Sequence, residues 1–421
     1  MPKKFSYVSI GEAHEIIVKA VRAEARREAV PIQEAYNRVL AEDVMSGVDI
    51  PPFDVSHFDG YAVRAEDTSQ ASVDNPVFLR VASPVERFAG KIGPGEAAYI
   101  LTGFRLATGA DAVIPVEMAK LKGDVIEIRR SVQPYEHVTP AGRDVKRGET
   151  VFKAGHVLRA QDVELLIELK KWEVKTFAKP LIAIVAVGSE LTDRVEETGL
   201  KRFNSHGLMI SALVNEAGGV PLDLGIVPDD VDAIKRALKR GLKEADVVTT
   251  IGGCSVGEKD YVWEAAGSLT PSVTTRGVKV QPGRVTSMGV VDGKAIVMLP
   301  GHVQSTLVGF YVLLLPLIRL MSGLPPAVPH PTLKAVMSRE LVVKEFASFE
   351  RVRFVRVAKA AGDYVAEPVL GDSSLISVVA RANSFIIIPK GKTIVERGEN
   401  VSVHLLPGLF PPSQVGEMRD Y

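Results

Sequence analysis

Cysteine is almost absent from this chain: Cys254 is the only one in 421 residues. A single thiol excludes an intrachain disulfide and a zinc site built from several cysteines, and it fits a reducing compartment. An excess of charge is missing as well. The 51 Lys and Arg are matched by 51 Asp and Glu, giving zero formal charge. That balance points away from nucleic acid and from an anionic membrane, both of which usually call for a net basic face. No apolar run reaches the roughly 20 residues of a membrane-spanning helix. The longest, Leu307 to Ile318, holds Pro316 and stops at Arg319, and reads as a helix buried in a core. Met1 to Ser9 carries two lysines with no apolar stretch behind them, so no targeting signal is expected. Together these absences predict a soluble, cytoplasmic protein.

What is present is a folded, multidomain chain. A hydrophobic share of 46% excludes global disorder. At about 150 residues per domain the length predicts two to four domains. Ser9 and Glu12 have the spacing of a capping box, and Ala13, Ile16, Ile17, Ala20 and Val21 form one apolar helical face. That helix is expected to run to Pro31, with a second short helix over Ile32 to Val39. From Val48 to about Gly142, short β-rich runs alternate with Gly, Pro and Asp turns, predicting a small all-β lobe. Asp162 to Leu169 reads as helix again.

Leu181 to Val187 is an unbroken apolar strand, as in a parallel sheet covered on both faces. Helix over Leu208 to Ala217, extended chain over Val220 to Val227, helix over Val231 to Lys243 capped by Asp230, and strands over Asp246 to Ile251 and Ala295 to Leu299 follow. Val303 to Met321 closes the pattern as a long helix. Strands alternating with helices predict an α/β domain with a parallel sheet. Leu324 to Pro331 is a proline-rich linker, and Thr332 to Pro407 reads as strand throughout, a separate small β-barrel.

Ligands of open α/β sheets bind beyond the carboxyl ends of the strands. Three strand ends carry unusual sequence here. They run into Gly188-Ser189-Glu190-Leu191, into Gly252 to Asp260, and into Pro300-Gly301-His302-Val303-Gln304-Ser305. Gly252, Gly253 and Gly257 allow backbone amides to approach an anion, Ser255 adds a hydroxyl, and the Pro300-Gly301 loop leads into a helix with Ser305 in its first turn. Neither glycine loop has the Lys-Ser/Thr of a P-loop or the pattern of a dinucleotide site. Glu190 and Asp260 stand beside these loops, where a carboxylate tolerates a phosphate when a cation such as Mg²⁺ lies between them; a helix cap is the plain alternative. In the β lobe, Asp59-Gly60 is a turn dipeptide, and Thr102-Gly103 and Gly142-Arg143-Asp144 are equally open locally.

The ordered set of motifs is more specific than any member. Ser56 to Ala62, Ile100 to Gly103, Gly109 to Val113, Ala141 to Asp144, Gly188 to Leu191, Asn204-Ser205, Gly252 to Asp260, Pro282-Gly283 and Leu299 to Gly301 resemble, in order and over nearly the whole chain, the molybdopterin molybdenumtransferase family of the MoeA type, related to the E domain of gephyrin. The resemblance implies a three-layer α/β molybdopterin-binding domain (179–326), an inserted β lobe (48–144), a discontinuous N-terminal helical domain (1–47 with 145–178) and a C-terminal β-barrel (332–408). It implies a homodimer whose cleft joins the α/β domain of one subunit to the β lobe of the other. The implied reaction inserts molybdate into the dithiolene of adenylylated molybdopterin, with Mg²⁺ and release of AMP. Asp59, Asp144, Glu190 and Asp260 match the family's acidic positions, with Glu190, Asp260 and Asp59 as Mg²⁺ ligands. Thr102, Gly252, Gly253, Ser255, Gly257, Pro300, Gly301 and Ser305 would bind substrate, and Arg284 would take the oxyanion.

The chain departs from the family at His57, Phe58, His206, Gln281, Val285, His302 and Val303. Several of these fall in the implied oxyanion region, and tungstate, nearly isosteric with molybdate, is the other candidate substrate. The competing reading is a non-catalytic molybdopterin carrier or assembly scaffold of the same fold.

Overall fold

The computed structural model describes residues 5–22, 25–82, 90–254, 260–327, 331–360 and 362–406. It divides into two bodies, Met1–Glu28 with Phe177–Tyr421, and Ala29–Thr176.

The first body is built on a six-stranded sheet of β1 (Leu181–Val187), β2 (Val220–Val227), β3 (Val247–Ile251), β4 (Val273–Arg276), β5 (Ser287–Val291) and β6 (Lys294–Leu299). Their spatial order is β2-β1-β3-β6-β5-β4. The first four are mutually parallel, and β5 and β4 add an antiparallel edge, so the sheet is mixed rather than purely parallel. Alternate residues of β1 enter two different cores. Ile182 and Ile184 pack with Ile210, Val214, Leu307 and Leu314, while Ala183, Val185 and Val187 pack with Ile234, Leu238 and Val262. Period-two alternation with both sides apolar gives three layers, helix on sheet on helix.

Helix Ile10–Ala20 begins with the expected capping box of Ser9 and Glu12. It ends at Ala20 instead of continuing to Pro31, because Arg22 leaves the helix and donates its amide to Gly293 O at 2.8 Å. Arg27–Pro31 is a strand, and Ile32–Glu34 is a single 3-10 turn rather than a helix to Val39.

The long apolar helix Val303–Met321 is 19 residues, and 83% of its most apolar window is buried inside the protein. It passes through one π turn, Phe310–Leu314. Pro316 has no N–H to give the carbonyl four residues earlier, that of Val312. His14 supplies the missing donor, its Nε2 donating to Val312 O at 2.9 Å. This bond ties the first helix to the buried one.

Strands Glu350–Ala360, Asp363–Pro368, Thr332–Met337, Asn400–Leu405 and Ser384–Ile388 close into the expected C-terminal barrel, the last pairing back on the first. Helix Ile376–Arg381 interrupts what reads as continuous strand. Arg351 is fully buried and carries no carboxylate partner among the described residues. Its guanidinium donates instead to the carbonyls of Val343, Pro389 and Lys392.

The second body has its own six-stranded sheet, ordered Ala112–Pro115, Gly60–Val63, Glu96–Ile100, Val77–Val81, Val125–Ile128 and Ala119–Lys122. Helix Ala160–Glu168 packs beside the Ile32–Glu34 turn through Leu166 and Ile32. Its start is closed by Asp162, 3% exposed, which accepts from the Arg159 amide (2.8 Å), both ends of the Arg159 guanidinium (2.8 and 3.0 Å) and His156 Nε2 (2.7 Å). These bonds, the Arg159 guanidinium first, hold the Asp162 carboxyl far below the usual range.

A carboxyl depressed in the folded state contributes stability above its unfolded pKa and loses it as pH falls toward the folded one. Asp162→Asn is therefore expected to cost roughly 2 kcal/mol at pH 7, with the gap to the wild type closing below about pH 4. Urea unfolding at the two pH values reads this; a gap that persists in acid would assign the loss to packing. His14→Ala removes the side-chain donor to Val312 O and is expected to cost roughly 1–3 kcal/mol in the same titration, a loss that His14→Phe would not restore.

Candidate active site

The carboxyl ends of β1, β3 and β6 lie side by side, and the loops that leave them touch. Gly252 donates its amide to Leu299 O at 3.0 Å, and Gly188 donates to Val227 O at 3.0 Å. Gly252 has φ +87°, and a Cβ there would lie 2.5 Å from Val187 O; a Cβ on Gly301 would be 3.6 Å from the Gly252 Cα. Only glycine admits both the left-handed conformation and the approach. A Cβ on Gly283 would lie 3.4 Å from Ser305 O, so the Pro282-Gly283-Arg284 turn rests on the first turn of the long helix. Glu190, Gly252, Gly253, Pro300, Gly301, Ser305 and Arg284 thus share one edge of one sheet. Ser255 and Gly257 lie outside the described residues.

The two carboxylates of this edge differ. Glu190 is exposed, turned back over Gly188. Among the described residues its oxygens meet no hydrogen-bond donor. Asp260 is enclosed, and its oxygens are spent: Oδ1 accepts from the Trp263 amide at 3.0 Å, capping helix Tyr261–Gly267, and Oδ2 pairs with Arg276 Nη2 at 3.2 Å. Burial pushes the Asp260 carboxyl up, against the pull of the helix amide and of Arg276. In this structure Asp260 serves as a helix cap and an ion-pair partner. Glu190 fits Mg²⁺ as a single free carboxylate beside amides suited to phosphate. No cluster of three or more His, Cys, Asp or Glu is placed to cage a metal among the described residues.

The first turn of the long helix explains one family departure. His302 Nδ1 lies 2.9 Å from Ser373 Oγ. Gln304 donates its amide to Ser373 O at 3.2 Å and its Nε2 to Asp372 O at 2.6 Å. The barrel loop thus caps the helix that the Pro300-Gly301 loop opens. His206, in the first turn of helix Ser205–Glu216, is held below the usual range by burial, then by the positive charge of Arg202 and of His302. Cys254, next to the glycine pair, has its thiol pushed up by burial, the direction opposite to that of an activated nucleophile.

In the second body Asp59 and Thr102 form a pair. Asp59 Oδ1 accepts from the Thr102 amide at 2.7 Å and from its hydroxyl at 2.8 Å, and these bonds hold its carboxyl below the usual range. Oδ2 takes part in neither bond. Asp144 is exposed on a loop whose amide bonds to Ile50 O at 3.0 Å. Exposed Phe53, Phe58, Leu101, Phe104 and Met118 belong to this same body.

Sequence reading missed Arg276 and Tyr7. Arg276 ends β4, and its guanidinium lies 4.8 Å from the Phe5 ring and 5.0 Å from the Trp263 ring. Tyr7 Oη accepts from Arg284 Nη1 at 3.0 Å. No motif marks either residue; only the fold brings them to the site.

Three family models match: the MoeA N-terminal region (domain I and II) over residues 8–169, the probable molybdopterin-binding domain over 183–320, and the MoeA C-terminal region (domain IV) over 342–406. A molybdopterin molybdenumtransferase of Staphylococcus aureus is 31% identical over 403 residues, covering 93% of this chain and 94% of that one. Another from Bacillus subtilis is 32% identical over 393 residues, covering 90% of each. The crystal structure of the molybdopterin biosynthesis MoeA protein from Pyrococcus horikoshii matches at TM-score 0.79 and 30% identity, over 95% of this chain and 100% of that one. This chain belongs to the MoeA family of molybdopterin molybdenumtransferases, enzymes of molybdenum cofactor biosynthesis.

Proposed function

We propose that the protein inserts molybdate, or tungstate, into the dithiolene of adenylylated molybdopterin and releases AMP. The observation that carries this reading is the single edge where the Gly188, Gly252 and Gly301 loops meet beside an uncommitted carboxylate. The Gly253 amide, together with Gly301 and Ser305 at the helix start, would take the phosphate oxygens, while Gly252, its own amide bonded to Leu299 O, lets the loops approach. Glu190 would hold Mg²⁺ together with those phosphates, as this ion is usually held by one or two carboxylates and substrate oxygens. A Mg²⁺ ion held by Glu190 would offset the phosphate charge and polarise the anhydride. Arg284 binds the oxyanion through charge-assisted hydrogen bonds. Cleavage of the anhydride by water yields AMP. Molybdenum bonds to the two dithiolene sulfurs, and one oxide leaves as water with the two thiol protons.

Asp59 and Asp144 act from the other body. The Thr102 bonds fix the Asp59 carboxylate through Oδ1 and leave Oδ2 to orient the attacking water or a molybdate oxygen. We read the working form as a cytoplasmic homodimer, in which the β lobe of one subunit completes the edge of the other.

AMP release from adenylylated molybdopterin with Mg²⁺ and either oxyanion is the test. Glu190→Gln is expected to lower kcat at least about a hundredfold with thermal unfolding unchanged, since its carboxylate supports no described contact. Asp260→Ala is expected to lower both activity and stability, because it removes the helix cap and the carboxylate paired with buried Arg276. Tight pterin binding with no AMP release under either anion would establish the carrier reading instead.

A further inference from the structure

Segment Phe5–Val8 runs along the chain that carries the two arginines of the site. Ser6 donates its amide to Arg276 O at 3.0 Å, Val8 to Gly277 O at 3.2 Å, and Lys279 returns a bond to Val8 O at 2.7 Å. Extended chain alternates its side chains, so Phe5 and Tyr7 fall on one side. Their rings stack at 5.4 Å, and Tyr7 meets Phe349 edge-on at 5.0 Å. Phe5 covers Arg276, and the Tyr7 hydroxyl holds Arg284, whose guanidinium also lies 5.0 Å from the Phe346 ring. Gly277 admits the Tyr7 ring, since a Cβ there would be 2.6 Å from Tyr7 Cδ1.

The partners of Arg284 have a common property. A phenol oxygen and an aromatic face are both neutral, so they fix the guanidinium without cancelling its charge, as a carboxylate would. One of its five N–H donors goes to Tyr7, and others remain for an incoming anion. An arginine on a long stem otherwise loses much rotamer freedom when it binds.

We propose that Tyr7 is the positioning residue of Arg284 and that segment Phe5–Val8 is a built-in part of the oxyanion site. The proposal rests on the reading of Arg284 as the oxyanion ligand. Tyr7 meets the anion through Arg284: its hydroxyl holds the guanidinium in the conformation that a tetrahedral oxyanion needs.

The test is Tyr7→Phe in the full chain, which deletes one hydroxyl and keeps the ring stack. Expected are an unchanged unfolding temperature, a rise of about tenfold in KM for molybdate, and kcat and KM for adenylylated molybdopterin within about twofold. Arg284→Ala should raise KM for molybdate at least as far, and adding Tyr7→Phe to it should raise it no further. If Tyr7→Phe leaves KM unchanged while Arg284→Ala raises it, the positioning role is overturned and the oxyanion site stands. If Arg284→Ala has no effect either, both fall. Should the wild type release no AMP, calorimetric binding of tungstate alone decides: about tenfold weaker binding in Tyr7→Phe sustains the role, and equal binding overturns it.

Discussion

The close approach of backbone at Gly252 is the constraint on which the candidate site depends. Its amide is bonded to Leu299 O, its missing Cβ leaves room for Val187 O, and its Cα touches the space over Gly301. Three strands joined in parallel register bring three loops to one edge. Helices cover both faces of the sheet, so that edge is where polar chemistry is accommodated. A side chain at Gly252 would separate the Gly188 and Gly301 loops and disperse every group attached to them. The glycine loops, the Glu190 carboxylate and the helix start at Val303 therefore share one geometric requirement.

Where contacts are local, the sequence could be read. The capping box at Ser9, the Asp230 cap, the Gly218 helix end and the apolar run of β1 all depend on neighbours within a few residues. The antiparallel strands β4 and β5 were not legible, since Val273–Arg276 is short and is fixed by its pairing with β5, which in turn pairs with β6. The end of the first helix was hidden for the same kind of reason. Val21 to Arg27 contains good helix formers and no stop residue, yet the bond from Arg22 to Gly293 O, across 271 positions of chain, draws it out of the helix. Propensity is a weak prior against such a contact.

The site was legible in its glycines and carboxylates but not in the state of those carboxylates. Glu190 and Asp260 look alike as letters beside glycine loops. The fold leaves one exposed and commits both oxygens of the other to Trp263 and Arg276. What separates them is the position of β4, whose last residue delivers the guanidinium, and β4 is among the strands that local pattern does not reveal.

Zero net charge takes on a different meaning in this light. The chain is neutral in sum, but three of its arginines are held by different kinds of partner. Arg276 is paired with Asp260 and covered by aromatic rings, so its charge is largely consumed where it stands. Arg351 is held only by carbonyls and closes the barrel. Arg284 is held by a hydroxyl and a ring. Neutral partners orient a guanidinium and leave its field intact, whereas an ion pair orients it by cancelling that field. The proposed function, which brings a dianion next to an exposed carboxylate, calls for a cation of the first kind. Arg284, at the turn resting on the long helix, is the arginine of this edge held in that way.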